Sequence, residues 1–234
     1  MIKKSIFMNF LFANLLLGQN VIEIPAPIEK IFSIEKGFDN NDNVEVLISG
    51  YLPDTCHKLG RTTVNVDHEN KHIQINATAF FQQDKSCLQI RTPYLETINI
   101  GLLAAGSYSI DVVGQNIFQS QLKIDTSYHS QQDDQLYAPV QSLSLEPGQS
   151  TVLLQGSYPN VLEGCMVIEK IETYKMDNIL VILPIAAITK DENICNRDDK
   201  MFSLHVDIDD ELKNNNGLVY IRTASGRSKS LLVN

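Results

Sequence analysis

The chain repeats itself, and each repeat carries its own pair of cysteines. Residues 26–37 read APIEKIFSIEKG, and residues 138–148 read APVQSLSLEPG. An apolar stretch follows in each half and ends in Gly-x-x-Pro before Asp or Asn: Gly50, Pro53 and Asp54, then Gly156, Pro159 and Asn160. A cysteine comes next, Cys56 or Cys165, and a second follows about thirty residues on, Cys87 or Cys195. Each half closes with Gly106, Tyr108, Gly114 and Leu122, or with Gly217, Tyr220, Gly226 and Leu232. Shared order at a near-constant offset is the mark of a duplicated structural unit. Four cysteines permit three pairings. One pair in each half favours Cys56–Cys87 with Cys165–Cys195. Loops of that size stabilise a fold by about 3–4 kcal/mol in the chain-entropy model.

The local pattern has period two. Val44, Val46 and Ile48 alternate with Glu45 and Ser49; Val64 and Val66 with Asn65 and Asp67; Tyr108, Ile110 and Val112 with Ser107, Ser109 and Asp111. Phe202, Leu204, Val206 and Ile208 alternate with Ser203, His205 and Asp207. Short alternating runs broken by turn residues predict antiparallel sandwiches. The expected fold is therefore all-β: two tandem immunoglobulin-like antiparallel β-sandwich domains, each with one disulfide. "Immunoglobulin-like" is meant loosely, because the chain has no Trp and its cysteine spacing is not that of an antibody domain. The expected domains are 19–124 and a degenerate copy at 138–234. Between them, 125–137 is a linker whose polar start, DTSYHSQQDDQ, predicts some hinge freedom.

Lys3 and Lys4, the apolar run Ile6–Leu17 and Gly18 before Gln19 form the three-part pattern of a cleaved signal peptide at 1–18. That run is short and is interrupted by Asn9 and Asn14, which disfavours a membrane span. The strongest later run, Ile179–Ile188, contains Pro184. A secreted or periplasmic address follows, without stable membrane insertion once the signal is cleaved. The even cysteine count suits such an oxidising compartment. A net charge of −9 argues against a nucleic-acid or anionic-membrane partner, since both attract basic surfaces.

The first half, with GYLPDTC, then Cys87, then AAGSYSIDVVG, resembles a bacterial exported β-sandwich domain of uncharacterised function. Members of that family read Gly-x-Leu-Pro-x-x-Cys, a later Cys, then Leu-x-Ala-Gly-x-Tyr-x-Val-x-Val-x-Gly. The resemblance covers about residues 44–114. The second half lacks the Ala before Gly217 and carries extra residues before Cys165. The resemblance implies the fold and export and brings no catalytic residue.

His68-Glu69-Asn70-Lys71-His72 matches the His-Glu-x-x-His pattern of zinc proteases. That pattern works on a helix, where residues four apart share a face. The flanks here alternate like strands, which predicts a hairpin turn. Asp39–Asn43 and Asp207–Glu211 offer oxygen ligands for calcium, but lack the spacing of an EF-hand loop; turn chemistry is the favoured reading. Asn76-Ala77-Thr78 is a formal glycosylation sequon inside an expected strand. No Gly-x-Ser-x-Gly turn or phosphate loop is present in the sequence. The expectation is a non-enzyme with no catalytic, cofactor-binding or metal residue, and with Cys56, Cys87, Cys165 and Cys195 as structural sites. It serves binding, adhesion or envelope structure, with an unidentified protein or glycan partner. The alternatives are an inhibitor or chaperone acting through loops or edge strands, and a metal-dependent hydrolase at the His68–His72 turn.

Overall fold

The computed structural model describes residues 20–129, 134–146, 150–159, 164–195, 200–224 and 226–233, with backbone alone at 115–119. The signal peptide expected at 1–18 and the loop residue Asn160 lie outside the described residues. The first half comprises β1 (Val21–Pro25), β2 (Ile28–Ser33), β3 (Asn43–Leu52), β4 (His57–Asp67), β5 (His72–Gln82), β6 (Thr92–Leu102), β7 (Gly106–Val112) and β8 (Gln115–Ile124). The second comprises β9 (Val140–Leu145), β10 (Thr151–Ser157), β11 (Cys165–Met176), β12 (Ile179–Thr189), α1 (Glu192–Cys195), β13 (Met201–Asp207), α2 (Asp210–Asn214), β14 (Leu218–Thr223) and β15 (Arg227–Leu232).

Each half is a β-sandwich. In the first, the small sheet β2-β3-β6 faces a large sheet in which β5 is flanked by β4 on one side and by β1 and β7 on the other, with β8 beyond β7. In the second, β9-β10-β13 faces β11-β12-β14-β15. The strand orders correspond. In both, the chain leaves the large sheet for one strand and returns beside the strand it left, so β5–β7 and β12–β14 pair in parallel. Each sandwich thus departs at one pair from the purely antiparallel expectation, because only a hairpin makes neighbours antiparallel and a crossover does not.

The repeated glycines have a common physical reason. A Cβ on Gly50 would lie 2.0 Å from the Pro27 carbonyl oxygen, and one on Gly156 2.3 Å from that of Pro139. Both strands need a bare backbone where the preceding strand crosses closely. Ala26 N–H donates to Ala77 O, and Ala138 N–H to Pro184 O, so the two APxx segments dock on β5 and β12 alike. The disulfides join Cys56 to Cys87 and Cys165 to Cys195, one within each half.

The repeated tyrosines are not equivalent. Ile73 pairs with Ile110 and Gln74 with Asp111 in the first half; Leu180 pairs with Val219 and Val181 with Tyr220 in the second. Tyr220 therefore occupies the place of Asp111. Tyr108 is buried inside the first sandwich, whereas Tyr220 lies on the opposite face of its own sheet.

That opposite face is where the halves meet. Ile179, Val181, Leu183 and Ile185 of β12, with Leu218 and Tyr220 of β14, belong to one apolar cluster with Phe32, Leu47 and the first-half core. The alternate residues Ile182, Ala186, Val219 and Ile221 belong to the core of the second sandwich. β14 is buried at every position, and β3 at all but Asn43 and Tyr51. Such double-sided burial is expected of a sheet sandwiched between two others. At about 1.5–3 kcal/mol for each large side chain removed from water, this interface is a core. The hinge freedom expected from the polar linker is corrected accordingly: an inter-domain contact of this hydrophobic kind holds the halves as one body.

Candidate functional site

The His68–Glu69–Asn70–Lys71 segment is a hairpin turn between β4 and β5. Asp67 shapes it: its Oδ1 accepts from the Glu69 and Asn70 amides at 3.1 and 3.0 Å, and Oδ2 accepts from Asn70 Nδ2 at 2.7 Å. These bonds hold the Asp67 carboxyl below its ordinary value, with the Asn70 side chain as the main cause. Lys71 takes φ 49° to close the turn. His72 begins β5, with its Nε2 2.7 Å from Asp111 Oδ2 on β7. No helical face stacks His68 over His72, so the hydrolase alternative loses its geometric basis.

The acidic loops are also turns. Asp39 Oδ1 accepts from Asn41 N at 3.0 Å, and Asp42 Oδ2 from Asp39 N at 3.1 Å. Burial, followed by neighbouring carboxylates, raises the Asp39 carboxyl above its ordinary value against the bond from Asn41. Asp209 caps α2, accepting from Leu212 N at 2.8 Å, while Lys175 bridges Asp209 and Glu211. Local backbone bonding of this sort is what Asp does in turns and caps.

One end of the first sandwich is the most elaborated region. Gly50–Cys56 leaves β3, and Cys87 anchors the irregular segment between β5 and β6 onto it. Thr55 N–H donates to Leu88 O, and Leu88 N–H to Thr55 Oγ1, at 3.1 and 3.0 Å. Asp54 Oδ1 accepts from Cys56 N at 2.8 Å and lies 2.7 Å from His57 Nδ1, whose ring stacks on Phe81 at 4.6 Å. The His57 contact holds Asp54 below its ordinary value. Asp54, Cys56 and Cys87 offer ligand atoms within 4.8 Å of one another, but both sulfurs are consumed in the disulfide. Arg91 covers the Tyr51 ring at 4.5 Å and pairs with Glu29 at 2.8 Å. Leu88 and Ile90 point outward, 64% and 56% exposed. The arrangement is a disulfide-anchored tip that exposes two apolar side chains.

The joint holds the polar residues that sequence reasoning missed. Glu45 on β3 accepts from Tyr220 Oη at 2.7 Å and from Ser228 Oγ. Arg222, 2% exposed, donates to the Gly37 carbonyl oxygen, lies 3.4 Å from Asp42 Oδ1 and sits over Phe38 at 4.3 Å. Burial, then the adjacent Glu45, pushes the Tyr220 phenol well above its ordinary value. Alternation assigns Glu45 to a solvent face; Leu47 two residues on, sharing that face, is the signal that it is covered.

A family model described as the ORF11 beta-sandwich domain matches residues 46–124, from within β3 to the end of β8. No curated protein and no solved structure matches the chain. The family match supports a β-sandwich domain over that stretch. Two disulfides indicate an oxidising environment. Among the described residues, no helix is long and apolar enough to cross a membrane.

Proposed function

We propose that this is an exported, non-enzymatic binding protein, built from two copies of one sandwich and acting at the cell envelope or outside it as an adhesion or structural module. The signal-like N-terminus, the GYLPDTC motif with its bacterial family resemblance and the repeated milestones support export and duplication. The observation that carries the reading is the joint: four sheets stacked through shared apolar cores make one continuous support, with the loops left along its sides. Polar groups with displaced acidities cap turns, bridge strands or seal the joint. Loops on such a scaffold are ordinary recognition elements.

The test is capture by the mature chain from envelope and culture extracts, paired with a glycan array. Saturable recovery of a glycan or surface polymer supports the proposal. A second reading, inhibition or chaperoning of a protein, is favoured by one observation: the disulfide-anchored tip presenting Leu88 and Ile90. One stoichiometric protease or secretion protein, released by Leu88→Asp with Ile90→Asp, would select that reading instead.

A further inference from the structure

The second sandwich contains a cleft of about 440 Å³ between the edge strands β9 and β15, lined by Val140, Gln141, Thr223, Arg227 and Lys229 among others. Its floor is fixed: Thr223 Oγ1 accepts from Val140 N at 2.8 Å and donates to Ala138 O at 3.0 Å. Arg227 pairs in register with Thr223, and Lys229 with Ile221. Opposed residues in an antiparallel pair share a face, so both cations are on the side of Ile221, which is core of the second sandwich. They therefore flank the gap between the two sheets, on the opposite face from the joint. Neither cation is in an ion pair among the described residues, and no acidic residue lines the cleft. In a chain of net charge −9, this is a local reversal of sign. It is also particular to the second half: β8, the counterpart of β15, has no Lys or Arg from Gln115 to Ser120.

We propose that this cleft binds an oxyanion group, a carboxylate or sulfate, carried by a sugar or by a small free acid. The volume lies in the range of small-ligand sites. Arg227 supplies a planar fork for two oxygens and Lys229 a second, mobile positive charge. Gln141 lines the rim with its Nε2 donating to Ser157 Oγ at 2.6 Å, which leaves its side-chain oxygen to accept from a ring hydroxyl. The competing explanation is that inward-facing charges on an edge strand merely discourage strand pairing with another chain. That explanation requires no ligand, and the two are separable.

The inference deepens the binding-protein reading and rests on it for biological sense, although its test stands apart. Calorimetric titration of the full mature chain would use three probes: sodium sulfate, glucuronate and a sulfated heparin tetrasaccharide. Amide shifts would be followed at 139–141 and 223–229. Saturable binding of at least one probe is expected, with affinity falling tenfold or more in R227Q/K229Q and unchanged in K58Q/R61Q, which removes two cations from β4. Preference for either sugar over sulfate identifies a glycan as the source; equal binding identifies a free anion. Failure of all three probes to bind, or equal losses in both double variants, overturns the site. Capture of a glycan that survives R227Q/K229Q overturns it while leaving the binding-protein reading intact.

Discussion

The outer face of β5 and the corresponding face of β12 have the same topology and opposite chemistry. β5 presents His72, Gln74, Asn76 and Thr78, and β7 beside it Ser109 and Asp111. β12 presents Ile179, Val181, Leu183 and Ile185, and β14 Leu218 and Tyr220. The first set faces solvent, with Gln74 and Asn76 exposed; the second is buried against β3. The inward faces agree in kind, with Ile73, Ile75 and Ile110 matching Leu180, Ile182 and Val219. One fold therefore tolerates either outer surface, because period two decouples the faces of a strand. What distinguishes the second half is a partner over its large sheet, and its apolar outer face depends on that partner.

Substitution at matched positions tests this most severely. Val181→Asp places an unpaired charge in the joint and should destabilise by more than about 4 kcal/mol, while Gln74→Lys, which adds a charge on the solvated counterpart beside Asp111, stays within about 0.5 kcal/mol. Equal effects in chemical denaturation would break the comparison. Replacing Cys56 and Cys87, or Cys165 and Cys195, with serine should each cost about 3–4 kcal/mol, since the bonds span 31 and 30 residues. Calorimetry of either variant should still show one transition, because the joint couples the halves; two separated transitions would show that it does not.

The tyrosines sharpen the contrast further. Tyr220→Phe leaves the buried Glu45 short of a donor and should cost about 1–3 kcal/mol. Tyr108→Phe should cost nothing, because the buried Tyr108 hydroxyl has no hydrogen-bond partner among the described residues. A thermal shift in the second variant as large as in the first would overturn that assignment.

Acid dependence supplies the smallest effect, with opposite signs in two places. Asp39 at the joint has a raised folded-state value, so the folded state binds its proton more tightly than the unfolded chain. Its contribution is present at low pH and is lost as pH rises from about 4 through the raised value. Asp54 has a lowered value; its contribution is present above about pH 4 and is lost as pH falls through the lowered value. Asp39→Asn should therefore raise the melting temperature slightly at pH 7, and Asp54→Asn lower it, with the difference narrowing at pH 3.

Much of this architecture is legible in the sequence. Alternation marks β3, β4, β7 and β13, and the cysteine order marks both disulfides. The turn at His68 is legible because β-branched flanks contradict a helix. The joint is encoded less directly. The run from Ile179 to Ile188 breaks the alternation seen elsewhere, and an unbroken apolar strand signals burial on both faces. Its covering surface comes from β3, about 130 residues earlier, and no local pattern names that partner. Matching Tyr108 to Tyr220 fails for a related reason: similar letters three residues out of step point to opposite faces, and only the pairing of β14 with β12 fixes the step. The cleft at Arg227 and Lys229 depends on the spacing of two sheets, which the order of residues along β15 does not contain.

The joint also has a direction. It presses the small sheet of one sandwich against the large sheet of the next, so the contact is head to tail rather than self-complementary. Contacts of that class propagate into filaments unless they close or are stopped. The outer faces are mostly polar, β5 and β7 at one terminus of the stack and Thr151, Gln155 and Ser157 of β10 at the other, with only scattered apolar side chains such as Phe80 and Leu153 to match an incoming molecule. Faces of that mixed kind give further stacking little to grip, so a longer polymer would first have to replace their polar residues.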